Sequence, residues 1–325
     1  MATAAQLKAL VRSHAEGDEQ SFYAVAMQVA ASEARSGHRL LAQEIRDLVD
    51  SAKARAGEIR HPRPTPVVQP KGELAGLLGV SYPSERLADL VVDDNVRLRL
   101  QRVLTEHRQR DQLREHGFEP LHTLLLTGSP GTGKTMTASV LAGELNLPLF
   151  MIRLEVLITK FMGETAAKLR LVFDAVEETR GVYLFDEVDA LAGDRTSASD
   201  VGEIRRVLNS FLQFLDRDRS ASLIVATTNH PALLDRAVFR RFDAAIDYPT
   251  PTPAVAQQVM ENRLASLDAD ELEWPAVLTA AAGLSHAELV AASEEAAKDA
   301  ILGGHRRIVT ERLVAALHDR QRPGA

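Results

Sequence analysis

"LLLTGSPGTGKT" (residues 124–135) sets a short apolar run against a glycine-rich turn that ends in lysine and threonine. Residues 128–135 match G-x-x-x-x-G-K-[ST], and the match follows a strand pattern and opens a helical one. In that setting Gly128, Gly131 and Gly133 let backbone N–H groups fold around phosphate oxygens, with the partial positive charge of a helix N-terminus behind them. Ser129, Pro130 and Thr132 complete the loop, and Met136 follows it. Lys134 is expected to reach the β and γ phosphates of ATP, and the Thr135 hydroxyl to hold Mg²⁺.

The same alternation continues downstream. "LFMI" (149–152), "VYLF" (182–185) and "LIVAT" (223–227) read as buried strands. Between them lie Leu169, Val172, Phe173 and Val176 at helical spacing, then Ile204, Val207, Leu208, Phe211 and Leu215. Strands alternating with helices imply an α/β fold with a parallel sheet covered on both faces. Ahead of the loop, residues 86–117 read mainly as helix ended by Gly117. After "YPTPTPA" (248–254) the chain is helical again.

The second strand supplies carboxylates. "VYLFDEVDAL" places Asp186 and Glu187 at its C-terminal end, the edge at which open α/β sheets bind ligands. Asp186 is expected to complete the Mg²⁺ shell through water, and Glu187 to orient and deprotonate the attacking water. Asp189 is left as a helix cap. Asn229, at the end of "LIVATTNH", stands where an amide could hold the lytic water; alone it would be a turn former.

Bulk properties narrow the class. The chain has 325 residues, 45% hydrophobic, with a formal net charge of -7 and no cysteine. Disulfides, zinc ribbons and thiol catalysis are excluded, and the acidic balance argues against non-specific nucleic-acid binding. No signal-peptide core or membrane-length apolar run is present, so a cytoplasmic protein is expected. Residues 1–61 carry two amphipathic helical patterns, with Phe22, Ala26 and Val29 on one and Leu41, Ile45, Leu48 and Val49 on the other. Residues 62–84, with Pro62, Pro64, Pro66 and Pro70, read as an extended linker. The expected division is therefore a helical unit (1–61), a linker (62–84), an α/β nucleotide unit (85–250) and a helical lid (251–325).

The set "GSPGTGKT", "KFMGET", "LFDEVDAL", "ATTNH", "LLDRAVFRRFD" and "GLSHAELVAASEEAA" resembles an AAA ATPase, in family order over roughly residues 85–320. It is similar to the AAA modules of FtsH, katanin and spastin. The resemblance implies a five-stranded parallel sheet with a helical lid, assembled as a homo-oligomeric ring, usually a hexamer, with ATP between neighbours. It implies that Arg240 and Arg241 are arginine fingers reaching the γ-phosphate on the adjacent subunit. The bland alternative is a surface pair bridged to Asp235 or Asp243. "RRF" lacks the glycine that commonly separates these arginines, which is closer to the microtubule-severing and membrane-remodelling branch. His286 stands where the lid motif usually has glycine, beside the adenine or ribose, and Leu90 to Val92 would pack on the adenine.

"KFMGET" falls where the family carries its first pore loop. The resemblance makes Lys160, Phe161 and Met162 a grip on polypeptide in a central channel; otherwise Phe161 is a hydrophobic staple on the following helix. Arg97, Arg99, Arg102, Arg108, Arg110 and Arg114 read as a solvated or subunit-contacting face. The expected function is an ATP-driven ring that unfolds or remodels proteins, with the N-terminal helices recruiting substrate or adaptor. No H-E-x-x-H is present, so any protease would be a separate protein. The rivals are a nucleotide-switched adaptor and a DNA-acting AAA protein.

Overall fold

The structure is a computed structural model that describes residues 26–27, 29–30, 70, 72–157, 162–191, 198–269, 271–305 and 307–321. The chain divides into two units, residues 1–66 and 67–325. In the first, Ala26, Met27, Val29 and Ala30 are helical, and Ala26, Val29 and Ala30 are buried. The remaining apolar positions of the two N-terminal patterns lie outside the described residues.

In the second unit, α1 (Leu74–Leu77) leads into β1 (Leu78–Ser81). Then come α2 (Asp94–Arg108), α3 (Arg110–Glu115), β2 (Thr123–Gly128), α4 (Lys134–Leu145), β3 (Leu149–Ile152) and α5 (Leu154–Leu157). They are followed by α6 (Met162–Glu178), β4 (Val182–Phe185), α7 (Ala198–Arg217), β5 (Leu223–Thr228), α8 (Arg236–Phe239) and β6 (Ala244–Tyr248). The lid holds α9 (Pro253–Leu264), α10 (Trp274–Ala280), α11 (His286–Leu302) and α12 (Thr310–Arg320).

Five parallel strands run in the order β3-β4-β5-β2-β6, and β1 adds an antiparallel edge beside β3. The linker expectation therefore fails for its second half. Leu78 pairs with Ile152 and is buried, so the chain is already in the sheet before residue 84. The expected helix across residues 86–117 also starts late. The Asp93 side chain accepts from the Asn95 N–H at 2.9 Å and caps α2. Leu87 to Val92 instead form an irregular segment, whose Leu87 and Leu90 carbonyls accept from Arg97 at 3.1 and 2.8 Å.

Period-two burial on both sheet faces produces two cores. Leu125, Tyr183, Phe185, Ile224 and Ala226 face α6 and α7, where Phe173, Phe185 and Phe211 have ring centroids 4.8–6.0 Å apart. Leu124, Leu126, Leu184, Val225 and Ile246 face α2 and α4. Each such side chain contributes about 1.5–3 kcal/mol by leaving water. The lid has a third core around Met260, Val277, Leu289, Leu313 and Leu317. Val91 packs into the lid core while Leu90 and Val92 pack into that of the sheet, so this short segment joins the two.

Candidate functional site

β2 enters the glycine loop at its buried C-terminal end. Gly128 has φ +142°, and a Cβ there would lie 2.4 Å from the Tyr248 carbonyl oxygen. Gly131 and Gly133 have φ +74° and +98°, backbone that L side chains rarely adopt. The Gly131 carbonyl accepts from the Ala287 N–H at 3.0 Å, which fastens the loop to the first turn of α11. That turn carries a reciprocal cap between Ser285 and Glu288. Thr132 is buried and its hydroxyl donates to Ser129 O at 2.8 Å.

Lys134 is buried, and its ammonium donates to Gly128 O at 2.7 Å and Ser129 O at 2.8 Å. Burial lowers its pKa, while the nearby charges of Asp186, Asp189 and Glu187 oppose that shift. The Thr135 hydroxyl donates to both Asp186 oxygens, at 3.2 and 3.0 Å. Thr227 donates to Asp186 from the neighbouring strand and also accepts the Glu187 N–H at 2.9 Å. Glu187 has φ +56°, a left-handed conformation uncommon for a non-glycine residue. The Thr227 bond holds that turn, and the Glu187 carboxylate then accepts from Asn229 Nδ2 at 3.0 Å. Asp189 is not a helix cap; its Oδ1 accepts the Asn229 N–H at 3.3 Å.

A cleft of about 390 Å³ runs along this edge. Pro130, Gly131, Gly133, Lys134, Thr135 and Met136 form one wall, Asp186, Glu187 and Asn229 the floor, and His286, Ala287 and Val290 of α11 the other wall. His286 lines the cleft, and burial lowers the pKa of its imidazole, with the Val91 backbone opposing. A glycine cradle, a buried ammonium and a hydroxyl–carboxylate pair are the donor set for a magnesium–nucleoside triphosphate. The volume is within the range of small-ligand sites.

Lys134, Thr135, Asp186, Glu187 and Asn229, picked from the sequence, thus converge. Arg240 and Arg241 do not line the cleft; both are exposed just past α8. Arg241 pairs with Asp216 of α7 rather than with Asp235 or Asp243. Lys160 and Phe161 lie outside the described residues, and Met162 is placed only as the first residue of α6. The arginines of α2 and α3 are engaged within the chain: Arg99 on Ala245 O, Arg102 on Glu106, Arg108 on Glu144, Arg110 on Asp111 and Arg114 on Glu119. Sequence reading missed Thr227, because a threonine closing an apolar strand carries no signal of its own.

Comparisons with known proteins agree with this geometry. The family model described as "ATPase family associated with various cellular activities (AAA)" matches residues 124–250. The chain is 32% identical to the Sinorhizobium fredii protein named "Uncharacterized AAA family ATPase y4kL", over 99% of this chain and 96% of that one. It is 34% identical to "ATP-dependent zinc metalloprotease FtsH 1" of Symbiobacterium thermophilum, over 75% of this chain and 42% of that protein. It is 32% identical to "Proteasome-activating nucleotidase 2" of Haloferax volcanii, over 67% of this chain and 55% of that protein. The chain therefore spans about half the length of these last two relatives. In fold it is similar to the FIGL-1 AAA domain, with a TM-score of 0.62 at 24% identity, covering 79% of this chain and 92% of that one.

Proposed function

This chain belongs to the AAA family and is an ATPase, and we propose that it works as a closed homo-oligomeric ring that remodels or unfolds protein substrates. The observation that carries the ring is an incomplete site. One chain brings together the loop, the Asp186–Thr135 pair and the Glu187–Asn229 pair, yet leaves both arginines outside the cleft. Phosphoryl transfer needs positive charge on the equatorial oxygens as the bond to the leaving group loosens. A second copy set against the open side of the cleft supplies it.

Within the site each group has a separate task. The loop N–H groups and Lys134 hold the phosphates. Thr135 and Asp186 would hold Mg²⁺, which would supply positive charge to neutralise the phosphates. Glu187 takes a proton from water, and Asn229 fixes the carboxylate that does so. Leu90 to Val92 and His286 border the adenine end. Leu90 and Val92 pack in the sheet core and Val91 in the lid core, so the segment that borders the adenine end also joins the two.

Work on protein is assigned to Lys160, Phe161 and Met162 as a pore loop, and recruitment of substrate or adaptor to residues 1–61. Two relatives bear names that refer to proteolysis, which supports a protein substrate and a partnership with a separate protease. A soluble cytoplasmic setting is part of the proposal. Among the described residues no helix is long and apolar enough to cross a membrane. Phe161→Ala is expected to keep basal ATP turnover within about twofold while losing most processing of a protein substrate. Unchanged processing, measured by loss of a folded fluorescent substrate under ATP, would return Phe161 to the role of a helix staple.

A further inference from the structure

The segment carrying Arg240 and Arg241 is fastened on both sides. Asp243 stands directly ahead of β6, and its Oδ2 accepts the N–H groups of His122 and Thr123 at 2.9 and 3.0 Å. Its own N–H donates to Thr123 Oγ1 at 2.9 Å. The His122 imidazole then spans two carboxylates: Nδ1 lies 3.0 Å from Asp243, and Nε2 lies 3.7 Å from Asp218. Asp218 is buried just past α7, and it also holds the following turn by accepting from the Ser220 N–H and hydroxyl. Two residues before it, Asp216 pairs with Arg241. The start of β2, the end of α7 and the arginine segment therefore meet around one imidazole. Arg241 is taken up in this knot. The Arg240 side chain is exposed and makes no ion pair or hydrogen bond among the described residues, while its backbone N–H donates to Val238 O.

We propose that His122, bridging Asp218 and Asp243, is a positioning residue that fixes the arginine segment so that Arg240 is the guanidinium presented to a neighbouring protomer's nucleotide. This rests on the reading of the arginines as acting between protomers. It assigns different tasks to the two: Arg241 braces the segment against α7, and Arg240 reaches out. A misplacement of about 1 Å at such a group costs up to about 10²-fold in rate.

The bridge also gives the ring a pH dependence. The hydrogen bond to Asp243 raises the His122 pKa, burial opposes it, the charges of Asp243 and Asp218 add to the rise, and Arg219 works against it. Asp243 is driven up by burial, but its bonds from His122 outweigh that and leave the carboxyl well below the usual range. From α2, His107 faces the same region; burial lowers its pKa, and its Nε2 is bonded to Leu121 O at 2.7 Å, with Arg180 and Arg110 near it. A raised histidine pKa means that the charged bridge is complete below the ordinary value of about 6.5 and is lost as pH rises through the folded value.

The test is steady-state ATP turnover of the full chain at fixed protein concentration, from about pH 6 to about pH 9, for wild type, His122→Ala, His122→Lys and Arg240→Ala. Wild type is expected to lose turnover on the alkaline side with KM steady. His122→Ala is expected to drop kcat about 10- to 100-fold with KM within about twofold, and His122→Lys, charged throughout, to recover most of kcat and flatten the alkaline fall. Full turnover in His122→Ala while Arg240→Ala is inactive overturns the positioning role alone. Full turnover in Arg240→Ala overturns both this role and the action between protomers. Should His122→Ala not fold, a wild-type kcat that stays level across the alkaline range overturns the proposal on its own.

Discussion

Arg240→Ala is expected to lower ATP turnover by about 10³-fold or more while leaving nucleotide affinity within about twofold. The phosphate loop, Lys134 and the Thr135–Asp186 pair are untouched by the change, so ground-state binding stays. What is removed is charge that matters only as the γ-phosphoryl group departs. Arg241→Ala is expected to cost less, because Arg241 is already spent on Asp216. A mixture is more telling than either variant alone. Lys134→Ala subunits lack a working loop but retain both arginines, and Arg240→Ala subunits lack the proposed finger but retain the loop. Neither is active alone, and mixing them is expected to restore turnover at shared interfaces. Titrating one variant into the other at constant total protein measures this; a strictly flat response would mean that no group crosses between protomers.

Glu187→Gln is expected to reduce turnover by about 10² to 10⁴-fold, the range for loss of a positioned general base. The glutamine oxygen can still accept from Asn229 Nδ2, so the left-handed turn and its Thr227 bond are preserved. The variant should therefore bind ATP as tightly as the parent and hold it. A ring kept in its ATP-bound form should also accumulate, visible by sizing in the presence of ATP. Single-turnover hydrolysis separates chemistry from product release. Undiminished turnover in Glu187→Gln would remove the assigned base and leave Asn229 without the partner that gives it a task.

Four strands were legible because each is a continuous apolar run ending in polar residues: β2, β4 and β5 are buried on both faces, and β3 is buried except at Met151. "VYLF" and "LFMI" coincide with β4 and β3 residue for residue. β6 was not, because only Ile246 and Tyr248 of "AAIDY" are buried, and such a pattern has no apolar run to read. β1 was hidden in a proline-rich stretch, where one buried leucine and an edge position leave little trace. Leu87 to Val92 mimicked helix because their apolar residues serve two cores at once, a spacing set by the lid and not by helical periodicity.

The cleft was legible to the extent that its residues lie within motifs. Lys134, Thr135, Asp186, Glu187 and Asn229 each sit at a strand end or loop whose chemistry can be read locally. Thr227 and His122 were not, because their meaning comes from partners on other elements: Asp186 and Glu187 for the threonine, Asp218 and Asp243 for the histidine. A neutral-looking "PLHTLLL" does not announce that its histidine will stand between two carboxylates. The arginine pair is intermediate. Its presence is plain in "FRRF", but the unequal surroundings of Arg240 and Arg241 emerge only when α7 and β6 are brought together.

The proposed sharing of catalysis between protomers would carry a concentration dependence that no isolated-chain site would have. ATP turnover per chain, at saturating ATP and across a dilution series that spans assembly as followed by light scattering, is the measurement to make. Turnover per chain should rise steeply as rings form and should fall toward the level of Arg240→Ala in the fully dissociated protein. A turnover per chain that stays constant through dissociation would mean that one chain completes its own site, and the ring, the finger and the His122 bridge would all lose their roles.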